Sequence, residues 1–402
     1  MNRIDKMIVA AMAAAFAATG SASAALYNDA PKVQARAEIL WVRPICVETN
    51  RYIGWPSVCL LKSGDLMAVF SGDRDRHVCP FGKVQYVRST DGGETWGAPV
   101  TIANGPIDDR DAGIVQMPDG EIVVTYFTSI AYRTYNKNFK VDYKPEDPRY
   151  WWKRHDEKIS EEVRRNTLGN WRVSSRDNGL TWSKPEKMAD VSQTPHGPIL
   201  LRDGTLFQLG RSFEGSVQGS GERGRTIVST WKSFDAGRTW KCMCPDIPDT
   251  NGENSIHHMF HEPHVVELAD GTLLGLVRYH GKDGCMRQCE SKDGGKTWSP
   301  MVKTPLLGLP PHLIQLKDGK VVCVYGRRRK DPGCGEFACI SDDGGRTWDV
   351  ANEISLAPHT DGDLGYPAST VLPNGDILTV YYQPMVPKGM PCLMATRWRV
   401  TR

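Results

Sequence analysis

Apolar residues along this chain come in short runs, and six times a pair of runs is parted by a two-residue turn signal. The six are Gly64-Asp65, Asp119-Gly120, Asp203-Gly204, Asp270-Gly271, Asp318-Gly319 and Asn374-Gly375. Their flanks are rich in strand formers, as in Ser57 to Leu61 followed by Leu66 to Phe70, or His264 to Leu268 followed by Thr272 to Val277. Two such runs around a glycine-containing turn predict a β-hairpin. The pattern therefore predicts six hairpins.

Between the hairpins a second pattern recurs. Ser-X-Asp-X-Gly-X-Thr-Trp occurs five times, at Ser89 to Trp96, Ser175 to Trp182, Ser233 to Trp240, Ser291 to Trp298 and Ser341 to Trp348. Short Ser, Asp and Thr side chains bond a tight loop's own amides, glycine supplies positive φ, and tryptophan gives the loop an anchor to bury. Five copies at spacings of 86, 58, 58 and 50 residues signal a repeated supersecondary unit. Hairpin, short strand, box and short strand make four strands per unit. Four-stranded sheets repeated around an axis make a propeller. The sixth unit lacks a box; Leu393 to Val400 is its expected third strand, and Glu38 to Val42, first in the chain, is expected to supply the fourth. That closure removes two open sheet edges. The fold expected is all-β, a six-bladed β-propeller of four-stranded antiparallel blades spanning residues 25–402.

One segment, at about 130–170, interrupts the repeat in blade two. Asp147-Pro148 has the character of an N-cap and first helical position, Gly169 of a stop, and Trp151, Trp152, His155, Ile159 and Val163 recur near helical spacing. An amphipathic helix is expected, either packed on the side of the ring or covering its mouth.

Composition narrows the setting. The formal net charge is +3 with no basic stripe, which argues against nucleic acid or an anionic membrane as partner. Residues 1–24 read as a secretory leader: charged Met1 to Lys6, apolar Met7 to Gly20, and Ala22-Ser23-Ala24 before the cut. A secreted or periplasmic protein is expected, without membrane insertion. There are 11 cysteines, and export would permit disulfides, with Cys285–Cys289 and Cys334–Cys339 the local pairs to test. Their spacings do not form a paired zinc framework, and no metal or other cofactor is expected.

Candidate chemistry follows from aligning the hairpins. Nine residues before each turn glycine stand Trp55, Asp111, Pro195, Glu262, Pro310 and Tyr366, and one step earlier Gly54, Arg110, Thr194, His261, Leu309 and Gly365. These begin the innermost strands, at one mouth of the ring. The second strands return to that mouth with Asp73, Arg74, Asp75, Arg76 and His77 in blade one, Arg211 in blade three, Arg278 and His280 in blade four, and Arg327, Arg328 and Arg329 in blade five. The boxes fall on the opposite face and are read as structural. His257, His258, His261, Glu262 and His264 invite a metal reading, but the spacing is not H-E-X-X-H, and on a strand Glu262 and His264 share a face that His261 does not.

At this point the chain resembles the sialidase family, whose boxed six-bladed propeller matches the organisation of the sequence after the leader. The segment His261 to Gly271, ending at Arg278, is similar to the sialidase fourth-blade segment with its glutamate and arginine, and Gly365-Tyr366 to the sixth-blade segment with the nucleophilic tyrosine. The resemblance implies a retaining exo-α-sialidase acting on sialylated or other acidic glycans. Tyr366 would attack and Glu262 take its proton, because a carboxylate nucleophile would be repelled by the substrate's own carboxylate. Arg278, with Arg327 or Arg328, would hold that carboxylate. The acid is expected after the second strand of blade one, at Asp75 or else Asp73.

The family's first-blade Arg-Ile-Pro is replaced by Gly54-Trp55-Pro56, so Arg110 or Arg74 would have to reach the same volume, with Trp55 lining the mouth. Two further readings stay open. Glu262 and Asp111 are placed to act as an inverting carboxylate pair on a uronic or neutral sugar, and the mouth would also suit glycan binding without catalysis.

Overall fold

The computed structural model describes residues 31–188, 191–213, 225–249, 259–329 and 333–401. The expected leader at 1–24, with His257 and His258, lies outside them. Six antiparallel sheets follow one another along the chain, and the sixth closes the ring with the N-terminal strand. In that sheet Gly365–Val371, Ile377–Pro384 and Pro391–Val400 are joined by Ala37–Cys46, which pairs with Pro391–Val400 from Ala37 opposite Val400 to Cys46 opposite Leu393. The closing strand is longer than the sequence pattern implied, and a two-residue strand, Lys32–Val33, is added outside it.

The inner two strands of each blade are sandwiched between neighbouring blades, which is why their apolar runs are nearly continuous. Ile377–Pro384 is buried at every position. Where blades six and one meet, Trp41, Ile53, Phe70, Leu378 and Tyr382 form one buried cluster, so closure is held by side-chain packing as well as by the ladder.

The boxes are self-contained loops. In the first, Ser89 Oγ donates to Asp91 Oδ1 at 2.7 Å and accepts the Gly93 amide at 2.9 Å, and Asp91 accepts the Thr95 amide at 2.9 Å. Gly93 sits at φ 95°, which its lack of a Cβ allows, and Trp96 Nε1 closes the loop on the Gly93 carbonyl at 3.1 Å. Each box follows its blade's third strand, which runs away from the mouth.

Two sequence expectations need correction. The insertion begins with a short helix, Ala131–Tyr135, and where one amphipathic helix was expected after Asp147 it forms two, Pro148–Asp156 and Glu161–Thr167, because Ser160 caps a new start by accepting the Val163 amide at 3.1 Å. The expected cap at Asp147 is present and accepts the Arg149 amide at 2.9 Å. The cysteine pairs are also excluded. Cys285 and Cys289 lie on one strand, as do Cys334 and Cys339, so an extended backbone holds each pair about 13 Å or more apart, well beyond disulfide reach. All 11 cysteines are free thiols.

Candidate active site

At the mouth, the inner strands do something that regular strands do not. Trp55, Asp111, Glu262 and Tyr366, at equivalent positions in blades one, two, four and six, all have positive φ, at 56°, 49°, 35° and 54°. Strand pairing slips at each of them: between Gly54 and Ser57, Arg110 and Gly113, His261 and Pro263, and Gly365 and Ala368. Such bulges turn one side chain out of the pleat toward the axis, at a strain of about 1–3 kcal/mol each. Positive φ in a non-glycine residue at four equivalent positions marks the mouth as a place where stability is given up for geometry.

Three of the four, Asp111, Glu262 and Tyr366, line a cavity of about 270 Å³ together with Arg110, Arg211, Arg278 and Arg328. Tyr366 donates its hydroxyl to Glu262 Oε1, and Arg278 bonds Glu262 Oε2 while its Nη1 also stands 3.4 Å from the Tyr366 oxygen. Burial, the largest single influence, would raise the Glu262 carboxyl, but Arg278 together with His261, the Tyr366 hydrogen bond and Arg211 outweighs it and holds Glu262 well below the usual carboxylate range. The same burial, with Glu262 adjacent, pushes the Tyr366 hydroxyl well above its ordinary value. The resting site therefore pairs an anionic glutamate with a protonated tyrosine.

The arginines divide by what holds them. Arg328 donates to the Leu364 carbonyl at 2.8 Å and the Tyr382 hydroxyl at 2.7 Å, which aims it across Tyr366. Arg211, seven residues past its hairpin glycine as Arg278 is past its own, also faces the cavity; its Nε has no hydrogen-bond partner and burial lowers its pKa. Alignment of the second strands brings it to this mouth beside Arg278, although the resemblance gave it no part in holding the substrate. Arg327 does not take part. Its guanidinium turns outward to Glu353 and the Leu307 carbonyl and stacks over Phe337 at 4.1 Å, because adjacent strand residues face opposite sides.

In blade one the expectations change most. Arg74 is fully buried in a bidentate pair with Asp108, at 2.5 and 2.8 Å, beneath Trp55, and so cannot replace the missing first-blade arginine. Arg110 lines the cavity, its guanidinium 4.3 Å from the centre of the Trp55 ring. Trp55 itself is 1% exposed and serves as the wall on which Arg110 rests. Asp73 is bound by Arg51 at 2.6 Å and by Lys83; Asp75 is bound by Arg51 at 2.5 Å and by Trp152 Nε1, from the insertion, at 2.7 Å. Neither carboxylate lines the cavity, which corrects the expectation that one of them is the acid. From the same loop His77 does line it, with Nδ1 2.7 Å from the Tyr52 hydroxyl.

The insertion lies at the rim. Trp152, Tyr132 and Phe139 pack with Cys79 and with Val78 and Phe81 from the blade-one loop, and Tyr135, 65% exposed, reaches the cavity wall. Below the mouth, His196, His264 and His312 pack about the axis, with the last two stacked at 4.2 Å, and burial keeps all three neutral. Among the described residues no group of three His, Cys, Asp or Glu side chains is arranged to hold a metal.

The family model described as BNR repeat-like domain matches residues 146–379. The chain belongs to the BNR repeat-like domain family. Within this family's reach, the chain is 23% identical over 357 residues to a sialidase of Micromonospora viridifaciens, covering 81% of this chain and 49% of that protein, so it spans about half the relative's length. Among solved structures, a Dyadobacter fermentans protein of unknown function is similar at a TM-score of 0.70 and 21% identity, covering 92% of this chain and 99% of that one. A Penicillium chrysogenum alpha-L-arabinanase complexed with arabinobiose is similar at a TM-score of 0.57 and 14% identity, covering 91% and 98%. At such identities the structural likenesses speak for the BNR propeller fold. No helix among the described residues is long and apolar enough to cross a membrane.

Proposed function

We propose that this BNR repeat-like protein is a glycoside hydrolase that releases a terminal acidic sugar, of the sialic acid class, from glycans with retention of configuration. The observation that carries the reading is the Tyr366 hydroxyl bonded to an arginine-held Glu262 inside a cavity lined by four guanidinium groups. A neutral nucleophile suits a substrate whose anomeric carbon bears a carboxylate. Arg278 and Arg328, with Arg211 and Arg110 on the flanks, offer that carboxylate bidentate partners. Once Arg278 is shared with it, Glu262 loses part of the pull that keeps it a weak base. Tyr366 oxygen then bonds the anomeric carbon as the bond to the leaving oxygen breaks, and its proton passes to Glu262. In the second half, water attacks the same carbon, the tyrosyl bond breaks, and the proton returns to Tyr366.

A second reading has its own support in Asp111, a carboxyl that shares the cavity with Glu262 and would complete an inverting pair on a uronic or neutral sugar. The deciding experiment offers the protein 4-nitrophenyl sialoside, uronide and arabinofuranoside and follows the first anomer released by NMR. Sialoside cleavage with retention is expected. Inversion, or cleavage of only the other sugars, would replace this reading with the second, and binding without cleavage of any would remove both. We also propose export through the leader at 1–24, to be checked by the N-terminal residue of the protein recovered outside the cytoplasm.

A further inference from the structure

Around the mouth, the six equivalent positions alternate in kind. Blades two, four and six present Asp111, Glu262 and Tyr366; blades one, three and five present Trp55, Pro195 and Pro310. Glu262 and Tyr366 are bonded to each other. The third corner is bonded to neither, yet it has the same positive φ, lines the same cavity, and keeps its Oδ1 shielded from solvent without a hydrogen-bond partner. A buried carboxyl oxygen without a partner is costly, and a site that keeps one has a use for it.

We propose that Asp111 is the acid that protonates the leaving oxygen, in the role that Asp73 and Asp75 cannot fill. The inference rests on the chain being a glycoside hydrolase and is indifferent to which sugar is cleaved. In the step, the Asp111 O–H proton moves to the glycosidic oxygen while that oxygen takes the electron pair of the breaking bond to the anomeric carbon, and Asp111 is left as a carboxylate. In the second half Asp111 accepts a proton from the attacking water, which closes the balance.

The surroundings suit both states. Arg110 Nε stands 3.7 Å from Asp111 Oδ1 and would steady the carboxylate. Burial outweighs Arg110 and, with Glu262 adding to it, pushes the carboxyl up to about 6. The other charged groups near it are Arg74 and Asp108, which pair with each other beneath Trp55, and Arg211 and Tyr366 across the cavity. Asp73 and Asp75, by contrast, are bound to Arg51, and Asp73 to Lys83 as well. Against the cost of burial, Lys83 and Arg51 hold Asp73 below its ordinary range as a bare carboxylate with no proton to give, and the oxygens of Asp75 are taken up by Arg51 and Trp152.

The test compares wild type and Asp111→Asn by kcat/KM, which reports the bond-breaking step, on two leaving groups. With a sugar as leaving group, the variant is expected to lose about 100-fold or more; with 4-nitrophenol, which leaves without a proton, it is expected to lose less than about tenfold. The alkaline limb of the wild-type profile, near pH 6, is expected to vanish in the variant. Equal losses on both leaving groups, or an unchanged alkaline limb, would overturn the assignment. If wild type cleaves only the uronide or arabinofuranoside, the sialic acid reading falls and the same comparison is made on that sugar; if it cleaves none, both fall. A readout free of turnover is the infrared difference between wild type and Asp111→Asn. A protonated carboxyl band present at pH 5 and gone at pH 8 is expected, and its absence contradicts the proposal.

Discussion

The box face and the mouth are built from the same repeat and use it in opposite ways. On the box face, five loops repeat one set of bonds: the serine hydroxyl takes the glycine amide at 2.7 to 2.9 Å, and the aspartate takes the threonine amide at 2.8 to 2.9 Å. Hydrogen bonds to Thr and Ser hold Asp91 and Asp343 down at about 2, as satisfied anions. At the mouth, six equivalent positions carry five residue types, four of them with left-handed backbone. Polar atoms there, Asp111 Oδ1, Arg211 Nε and Arg278 Nε, are buried without hydrogen-bond partners. Repetition with local satisfaction makes a frame, and the departures from repetition mark where a substrate would complete the bonding.

Substitutions on the two faces should therefore separate stability from activity. The largest effect is expected at Arg278→Ala, which strips Glu262 of its closest cation: kcat/KM should fall on the order of 10³-fold and stability by about 3 kcal/mol, measured by assay and denaturant melts. A loss of stability with full activity would mean that the pair is merely structural.

Next comes Asp111→Asn, where the signs part. The folded Asp111 carboxyl at about 6 lies above its ordinary 3.8, so the stability it contributes is complete below about pH 4 and is lost as pH rises through 6. The variant escapes that loss and should be more stable than wild type at pH 8, by at most about 3 kcal/mol, with little difference at pH 3. Matching melts at both pH values would contradict the buried-carboxyl account. On the opposite face, Asp235→Ala removes bonds to Ser233 and Thr239 and should cost about 1 kcal/mol with kcat/KM unchanged. The smallest effect is expected at Asp75→Asn, a change in kcat/KM of less than about threefold; a loss as large as that of Asp111→Asn would restore Asp75 as the acid.

The frame was legible because it is local: turn dipeptides and boxes report backbone conformation within a few residues of themselves. Hairpin alignment also brought Tyr366, Glu262 and Arg278 to one mouth, since it depends only on strand length. What escaped was decided by partners distant in sequence. Asp75 reads as free until Trp152, 77 residues away, takes its carboxylate. Arg74 reads as substrate-facing until Asp108 buries it, and the choice between Arg327 and Arg328 turns on which neighbour the strand's pleat points outward. Arg211 carried the same signal as Arg278, seven residues past a hairpin glycine, and that register picks it out.

The central claim is that Tyr366 is the group that bonds the anomeric carbon, and covalent trapping tests it most directly. A fluorinated sialosyl analogue, whose glycosyl-enzyme breaks down slowly, is incubated with the protein and the digest is read by mass spectrometry. The predicted result is one sialosyl adduct on the peptide containing Tyr366, absent from Tyr366→Phe, which also loses hydrolysis. An adduct on another residue, or a Tyr366→Phe variant that hydrolyses sialosides at the wild-type rate, would contradict it.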